Sequence, residues 1–255
     1  MRFEGKVALI TAVASGIGRA TADIMGREGA SIVGVDTNAE RLDKAMAEIR
    51  DAGGRAEGHV CDALDEAQVN ALVARVAMER GTIDILVNAV GGSTVIAKSG
   101  APVHELSFED WRKLIDFNLS GTFLFTHAVV PVMQRQRSGK IVNLASIAGR
   151  GRSVSSSVAY AAAKGGIIAF TKKLSYELGP YGININAIAP SVTLTERIRP
   201  HWERRSQEAQ AAEIDKTPLR RVAEAVDQAR VICFLASQDA DFVTGETIDV
   251  TGGGS

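Results

Sequence analysis

The chain alternates between short apolar runs and longer amphipathic stretches along nearly its full length. Each apolar run is continuous rather than interleaved with polar residues, which is typical of strands buried on both faces. Strands that alternate with helices predict a parallel sheet with helices on both sides, joined by right-handed crossovers. The pattern therefore predicts an α/β fold with a doubly wound parallel sheet of about seven strands.

The individual elements follow from the same pattern. Strands are predicted at residues 6–11, 31–36, 56–61, 83–88, 140–145, 183–189 and 247–250. Helices are predicted at residues 16–29, 38–52, 65–80, 107–137, 156–178 and 223–237. Asn38 is expected to cap the second helix, because its side chain can accept a hydrogen bond from a backbone N–H there. Pro131 predicts a kink or break in the fourth helix, because proline removes a helical hydrogen bond.

The 255 residues are 45% hydrophobic and 23% charged, which fits an ordinary globular protein. One α/β domain of this length can bury an ample core without disulfides or metals. No repeat, low-complexity tract or Pro/Gly linker divides the chain, so we expect residues 1–255 to form a single domain. Residues 191–218 are polar and interrupt the strand–helix rhythm, which favours a substrate lid or binding loop.

Charge and composition also exclude several classes of function. The formal net charge is −1, which indicates neither a nucleic-acid nor a membrane partner. No apolar run approaches the ~18 residues of a membrane span, and the N-terminal residues lack the apolar stretch of a secretion signal. Cys61 and Cys233 lack metal-type or redox-type spacing and are expected to be buried thiols in a reducing cytoplasm. The four histidines are scattered, so no metal site is predicted.

A glycine turn joins the first strand to the first helix. Gly16 and Gly18 lie in this turn, and Asp36 ends the second strand, 18 residues after Gly18. Backbone N–H groups and the helix dipole at such a turn can bind a pyrophosphate. An acid about 20 residues further on can bind both ribose hydroxyls and repel a 2′-phosphate, which favours NAD over NADP. A Gly-x-Gly alone could be only a tight turn, but the order of elements around it favours a nucleotide site.

Tyr160 and Lys164 are four residues apart in a predicted helix, so their side chains should share one face. A lysine cation favours the phenolate form and is expected to lower the pKa of Tyr160. A tyrosine with such a pKa can exchange a proton with an alcohol or carbonyl near neutral pH. The alternative is an exposed Tyr and Lys on a helix surface, since pairs at this spacing are common.

With these features the chain resembles the short-chain dehydrogenase/reductase family over essentially its full length. Its glycine motif is similar to the family's Thr-Gly-x-x-x-Gly-x-Gly, with Ala12 in place of the first glycine. The segment Asn88-Ala-Val-Gly91 resembles the family's Asn-Asn-Ala-Gly, with two substitutions. Pro190-Ser191 stands where the family has Pro-Gly. The resemblance implies a Rossmann fold in a single dinucleotide-binding and catalytic domain.

The resemblance also implies four catalytic roles. Ser146 matches the serine that hydrogen-bonds the substrate oxygen, and Tyr160 matches the general acid/base. Lys164 matches the lysine that binds the nicotinamide ribose and lowers the tyrosine pKa. Asn118 matches the asparagine whose backbone binds a water in the proton relay. Taken singly, Ser146 could be an ordinary loop serine and Asn118 a helical surface residue.

The cofactor site implied by the resemblance includes residues at the ends of several predicted strands. Asp62 matches the acid that contacts the adenine amino group, although Asp36 and Asp62 could also be ordinary acids at strand ends. The expected cofactor-binding residues are Thr11, Ala12, Ser15, Gly16, Ile17, Gly18, Asp36, Cys61, Asp62, Ala63, Asn88, Ala89, Tyr160, Lys164, Pro190, Val192, Thr193 and Thr195.

The expected activity is an NAD-dependent oxidoreductase that interconverts a secondary alcohol and a ketone by hydride transfer. The main alternative is an NADPH-dependent 3-oxoacyl thioester or other carbonyl reductase. Asp36 argues against it, because biosynthetic reductases of this family usually prefer NADP. A lyase or epimerase that retains its nucleotide, and a non-catalytic nucleotide-binding protein, also remain open.

Residues 92–97, 147–154 and 191–218 are expected to build the substrate pocket. The candidate substrate-binding residues are Ser146, Arg150, Arg152 and Trp202. One hypothesis is that at least one arginine among Arg150, Arg152, Arg197 and Arg199 meets an acidic substrate group. The alternative is a solvated face of the lid, with its arginines balanced by nearby acids. The resemblance further implies a homotetramer, built from the helices around Asn118 and Tyr160 and from the C-terminal tail.

Overall fold

A computed structural model describes residues 1–153 and 155–254. Its strands are β1 (Val7–Thr11), β2 (Ser31–Asp36), β3 (Arg55–Val60), β4 (Ile85–Asn88), β5 (Gly139–Leu144), β6 (Ile183–Pro190), β7 (Thr193–Leu194), β8 (Ala223–Glu224) and β9 (Thr247–Val250). Seven of them form one sheet in the order β3-β2-β1-β4-β5-β6-β9, and all of its pairings are parallel. The predicted seven-stranded, doubly wound sheet is confirmed.

The helices lie between the strands as the pattern predicts. They are α1 (Gly16–Arg27), α2 (Ala39–Asp51), α3 (Glu66–Arg80), α4 (Phe108–Ile115), α5 (Gly121–Gln136), α6 (Val158–Leu178), α7 (Arg199–Glu203), α8 (Gln207–Asp215) and α9 (Ala225–Leu235). Asn38 caps α2 as predicted, since its Oδ1 accepts a hydrogen bond of 2.9 Å from the backbone N–H of Arg41.

The sheet separates two hydrophobic cores. Leu9 and Ile10 are consecutive and both fully buried, yet they belong to opposite cores because successive side chains of a strand point to opposite faces. Helices α1, α2 and α9 pack on the side of Ile10, and α3 and α5 pack on the side of Leu9. Burial on both faces explains why the central strands β1 and β4 are almost entirely apolar, whereas the edge strand β3 is polar and partly exposed.

The strand order reverses next to β1, and this creates a crevice at one edge of the sheet. β1 lies between β2 and β4, with Thr11 opposite Val35 and Ile10 opposite Val87. The chain leaves β1 towards one side of the sheet and leaves β4 towards the other. In sheets of this kind ligands bind outside the carboxyl ends of the strands at such a reversal.

The predicted helix over residues 107–137 is interrupted, and not at Pro131. A π-helical turn, Asp116–Ser120, separates α4 from α5, and α5 continues through Pro131 to Gln136. Asn118 supplies the physical reason for the wider turn. Its Nδ2 donates to the carbonyl of Leu114 at 2.9 Å, which is the acceptor that a regular α-helix would offer to the backbone N–H of residue 118. The predicted break at Pro131 is wrong, since α5 is one helix there, and a kink at Pro131 stays a prediction.

The polar segment 191–218 is largely regular rather than irregular. It contains β7, α7 and α8, and β7 pairs with β8 in a separate two-stranded sheet that the pattern does not predict. In the described part of the chain, no helix is long and apolar enough to cross a membrane. Cys61 and Cys233 are both free and buried.

Candidate active site

The glycine turn at the start of α1 forms a cradle for an anion. Gly16 has a φ of 60°, and a Cβ on Gly18 would lie 2.5 Å from the carbonyl oxygen of Ala12. The N-cap Ser15 makes no side-chain cap, so the backbone N–H groups of the first turn are not capped by it. The N–H of Gly16 donates at 2.7 Å to Oε2 of Glu196, so the acceptor of this donor is an anionic oxygen. This donor and the narrow turn fit a pyrophosphate.

Ala12 adopts a conformation that suits glycine. Its φ is 51°, and only two other non-glycine residues in the described chain, Arg137 and Arg220, have a positive φ. The family's glycine at this position therefore has a backbone reason, and the alanine retains the same turn at some cost in strain. Ser191, the other substitution of a family glycine, is not among the residues with positive φ, so its backbone needs no glycine.

Thr11 fixes the loop after β4 to the glycine turn. Its Oγ1 accepts hydrogen bonds from the backbone N–H of Ala89 at 2.9 Å and of Val90 at 3.3 Å. The neighbouring Asn88 is buried, and its Nδ2 donates to Thr126 and Asn143. Its Oδ1 has no hydrogen-bond partner among the described residues. The buried network continues from Asn143 to Thr171 on α6, and sequence reasoning did not single out those further members.

Asp36 lies at the end of β2, beside the glycine turn. Its Oδ2 accepts from the backbone N–H of Ala14 at 3.1 Å, and its Oδ1 accepts from that of Asn38 at 3.0 Å. Two backbone donors therefore fix the orientation of the carboxylate. The negative charge of Asp36 therefore lies against the backbone of Ala14 in the glycine turn.

Residues 61–63 follow β3 on the same edge of the sheet. Asp62 is exposed and its Oδ1 accepts from the backbone N–H of Leu64 at 2.9 Å, whereas Ala63 is buried. Burial raises the pKa of the Cys61 thiol to about 11, with Asp62 adding to the effect, so this thiol is neutral near pH 7. The segment therefore places the exposed carboxylate of Asp62 next to the buried, apolar Ala63.

Tyr160 and Lys164 meet Ser146 at the carboxyl end of β5. Tyr160 and Lys164 lie one turn apart on α6, and Lys164 Nζ is 5.8 Å from the centroid of the Tyr160 ring. Lys164 is 3% exposed, and its Nζ donates to the carbonyl of Leu144 at 2.7 Å. Ser146 is buried, and its Oγ accepts from the N–H of Ala148 at 3.1 Å. The predicted shared helix face is confirmed.

The charge balance at this site differs from the one expected. Burial raises the pKa of Tyr160 above its ordinary value, while the Ser146 hydroxyl and the Arg197 guanidinium act to lower it. Burial, and after it Arg197, lowers the pKa of Lys164 to about 7. In this structure desolvation of the phenol outweighs the groups that lower its pKa, which are the Ser146 hydroxyl and then the Arg197 guanidinium. That Lys164 lowers the pKa of Tyr160 stays a prediction.

Asn118 is fully buried in the π turn, and its side chain hydrogen-bonds the loop after β4. Its Oδ1 accepts from the N–H of Gly92 at 2.8 Å, and its Nδ2 donates to the carbonyl of Gly92 at 3.1 Å. A Cβ on Gly91 would lie 2.8 Å from both Asn118 Oδ1 and Lys164 Nζ. The side chain thus positions this loop against Lys164. The expected role of the Asn118 backbone in binding water stays a prediction.

Glu196 and Arg197, from the segment after β7, enter the cleft. Neither is among the predicted cofactor-binding or catalytic residues. Glu196 binds the N–H of Gly16, and Arg197 Nη2 donates to the carbonyl of Gly91 at 2.9 Å. Nothing in the sequence around Glu196 predicts its contact with Gly16. Thr195 lies beside it, with its methyl group 3.2 Å from the Cβ position of Gly16.

The remaining predicted cofactor residues lie at the end of β6 and beyond. Pro190 is the last residue of β6, Val192 is half-buried, and Thr193 is buried with its Oγ1 accepting from Gln228 at 3.3 Å. Ile17 is half-buried in the first turn of α1, and its carbonyl accepts from Thr21. Pro190, Val192 and Thr193 thus follow the carboxyl end of β6, and Ile17 follows that of β1.

Most arginines considered for an acidic substrate group have carboxylate partners. Arg150 and Arg152 both pair with Asp249 on β9, at 3.1 Å and 3.0 Å, and Arg199 pairs with Glu224 at 2.7 Å. Trp202 is half-buried in α7. Within residues 1–153 and 155–254, Arg197 has no carboxylate within 4 Å. Val154, at the end of one predicted pocket segment, lies outside the described residues.

Comparisons with known proteins agree with this geometry. A family model described as enoyl-(acyl carrier protein) reductase matches residues 12–255. A 3-oxoacyl-[acyl-carrier-protein] reductase of Thermotoga maritima is 38% identical, with 99% of each chain covered. A D-threitol dehydrogenase of Mycolicibacterium smegmatis is 39% identical, with 99% of this chain and 94% of the relative covered.

A solved structure of a 3-oxoacyl-[acyl-carrier protein] reductase with bound NAD, from Brucella melitensis, superposes with a TM-score of 0.87. It is 36% identical and the match covers 99% of this chain and 94% of that one. The relatives thus include both reductases and a dehydrogenase, all of nearly the same length as this chain. With the seven-stranded sheet, the glycine turn and the Tyr160–Lys164 pair, these matches establish that the chain belongs to the short-chain dehydrogenase/reductase family of NAD(P)-using oxidoreductases.

Proposed function

We propose that this protein is an NAD-dependent oxidoreductase that interconverts a secondary alcohol and a ketone, with Tyr160 as general acid/base. The observation that carries the proposal is the convergence of Ser146, Tyr160 and Lys164 at the carboxyl end of β5, next to a glycine turn that already binds a carboxylate oxygen. Geometry of this kind joins a hydride site to a proton donor within one crevice.

The residues have distinct tasks in the proposed reaction. In the reducing direction negative charge develops on the carbonyl oxygen, and the Ser146 and Tyr160 hydroxyls donate hydrogen bonds to it. Tyr160 then transfers its proton to that oxygen, and in the oxidising direction it takes the proton back. A bound nicotinamide supplies or accepts the hydride. Lys164, whose pKa lies near 7, can exchange a proton beside the phenol at neutral pH.

The preference for NAD rests on Asp36. Its carboxylate is fixed by the N–H groups of Ala14 and Asn38 and has room for hydroxyl donors on its free lone pairs. An adenosine ribose beside it would donate two hydroxyl hydrogens, whereas a 2′-phosphate would meet a like charge. This supports NAD over NADP as the cofactor.

Replacing Tyr160 by phenylalanine tests the proposal. Tyr160→Phe should lower kcat by about 100-fold or more, because it removes the transferable proton and leaves the ring. Tyr176→Phe is the matched control, since Tyr176 lies on the same helix and is 70% exposed. NADH absorbance with a panel of alcohols, polyols and hydroxy acids reports the rate. Full activity in Tyr160→Phe would overturn the assigned role.

The second candidate is an NADPH-dependent 3-oxoacyl thioester reductase. The Thermotoga maritima reductase, at 38% identity over essentially both whole chains, favours it. The two candidates differ in cofactor as well as substrate. Reduction of a 3-oxoacyl thioester with NADPH, faster than any NAD-linked alcohol oxidation, would put this candidate first.

We further propose a homotetramer and a reducing, cytoplasmic setting. Apolar side chains are exposed on the helices expected at the interface, with Phe108 74% and Phe123 48% exposed, and Phe242 near the C-terminus is fully exposed. Light scattering should give a mass of about four chains, and Phe123→Arg should lower it. A monomer in the wild type would contradict the assembly. The buried free thiols of Cys61 and Cys233 support the compartment.

A further inference from the structure

The segment that follows β7 reaches into both halves of the crevice at once. Glu196 accepts from the N–H of Gly16 in the anion cradle at 2.7 Å. The next residue, Arg197, donates to the carbonyl of Gly91 at 2.9 Å and lies against Gly92. One residue therefore contacts the turn after β1, and its neighbour contacts the loop after β4.

The contact at Gly16 competes with any phosphate that uses the same cradle. A backbone N–H has one hydrogen, so it cannot form a full hydrogen bond to Glu196 and to a pyrophosphate oxygen at once. Both ligands are also negatively charged, and repulsion adds to the competition. A dinucleotide that occupies the cradle must therefore displace the Glu196 carboxylate.

The contact of Arg197 with Gly91 places a cation close to the catalytic residues Tyr160 and Lys164. Arg197 is the cation that opposes the burial of Tyr160, and it also contributes to the lowered pKa of Lys164. Since Glu196 and Arg197 are adjacent in the chain, a backbone shift that withdraws Glu196 also moves Arg197. Both side chains are exposed, so solvent can replace their contacts at small cost.

We propose that Glu196 and Arg197 form an internal latch that occupies the dinucleotide crevice and is displaced when the dinucleotide binds. The latch lowers dinucleotide affinity by the free energy of its two contacts. When a dinucleotide fills the anion cradle, the Arg197 cation also leaves its place beside Tyr160. The proposal rests on the dinucleotide binding contained in the proposed function. Glu196 then positions the segment after β7 against the glycine turn and takes no part in the chemistry.

Titration with NADH, followed by its fluorescence, tests the latch. Glu196→Gln keeps the size of the side chain but removes its charge. Its amide oxygen can still accept from Gly16, so only the charge-dependent part of the contact is lost, and NADH binding should tighten by about three- to tenfold. Glu203→Gln is the matched control, because Glu203 is an exposed glutamate in α7 of the same segment. Its NADH affinity should equal that of the wild type.

A second readout needs no nucleotide. Amide hydrogen exchange of Gly16 in the free protein should accelerate in Glu196→Gln and stay unchanged in Glu203→Gln. Equal NADH affinities in all three proteins, with unchanged Gly16 exchange, would overturn the latch and leave the proposed function intact. If the wild type and both variants bind neither NADH nor NADPH, the proposed function itself fails.

Discussion

At the scale of single residues, the site is built from side chains whose usual behaviour is shifted by their surroundings. Ala12 adopts a glycine-like φ, Lys164 has a pKa near 7, and burial raises the pKa of Tyr160. The identities of these residues are readable from the sequence, but their shifted properties are not. Burial and the approach of Arg197 from a distant segment determine the pKa values, and neither is encoded in local spacing.

Ala12→Gly should stabilise the protein. A left-handed alanine costs about 1–2 kcal/mol, and glycine costs about 0.4–1 kcal/mol of extra freedom in the unfolded chain. The free energy of unfolding should therefore rise by about 0.5–1 kcal/mol in urea denaturation. Ala52→Gly is the control, because Ala52 has a φ of −79°, and it should lose stability. A loss of stability in Ala12→Gly would show that φ at residue 12 is not strained.

The lowered pKa of Lys164 predicts that stability rises with pH. The folded pKa is about 7 against an ordinary value of 10.5, so between these values the unfolded chain binds one more proton than the folded one. The free energy of unfolding should then increase between pH 7.5 and 8.5 by about 1 kcal/mol from this residue. Lys164→Met should lose this increment.

Urea denaturation at the two pH values measures the effect. Lys173→Met is the matched control, because Lys173 lies on the same helix with a largely exposed side chain, and it should keep the wild-type pH dependence. The same pH dependence in Lys164→Met and the wild type would contradict a neutral Lys164 at mildly alkaline pH.

At the scale of elements, the interruption between α4 and α5 shapes the site. The π turn at Asp116–Ser120 brings the Asn118 side chain to Gly92, and the two hydrogen bonds to Gly92 fix the loop that faces Lys164. Periodicity predicts a single helix here because the sequence stays amphipathic through the turn. The Asn118 bond to Leu114 that accompanies the turn is local, but the bonds that attach the turn to the site join residues 26 positions apart, which no local pattern reports.

Asn118→Ala should destabilise the fold. The change leaves the N–H and carbonyl of Gly92 without their partners in a buried site, which should cost about 2–4 kcal/mol. Thermal or urea unfolding measures the loss, and Asn70→Ala, at an exposed position of α3, should stay within about 0.5 kcal/mol of the wild type. If Asn118 contributed only its backbone to the site, its side chain could be removed without such a loss.

At the scale of the whole molecule, the sheet determines where chemistry can occur. Parallel strands place their carboxyl ends along one edge, so Asp36, Asn88 and Ser146 lie along the same edge although they are far apart in sequence. Continuous apolar runs such as those of β1 and β4 predict this sheet, since they suit strands buried on both faces. The two-stranded β7–β8 sheet and the approach of Glu196 and Arg197 to the cleft could not be predicted, because they depend on how a polar segment folds back over the finished sheet.

The most direct test of the account is the affinity of the purified protein for NADH and for NADPH, measured with the wild type and with Asp36→Asn. If Asp36 binds the adenosine ribose, the wild type binds NADH at least about tenfold more tightly than NADPH, and Asp36→Asn reduces this ratio by removing the charge that repels a 2′-phosphate. Tighter binding of NADPH by the wild type, or an unchanged ratio in Asp36→Asn, would contradict the assigned role of Asp36 and put the NADPH-dependent reductase first.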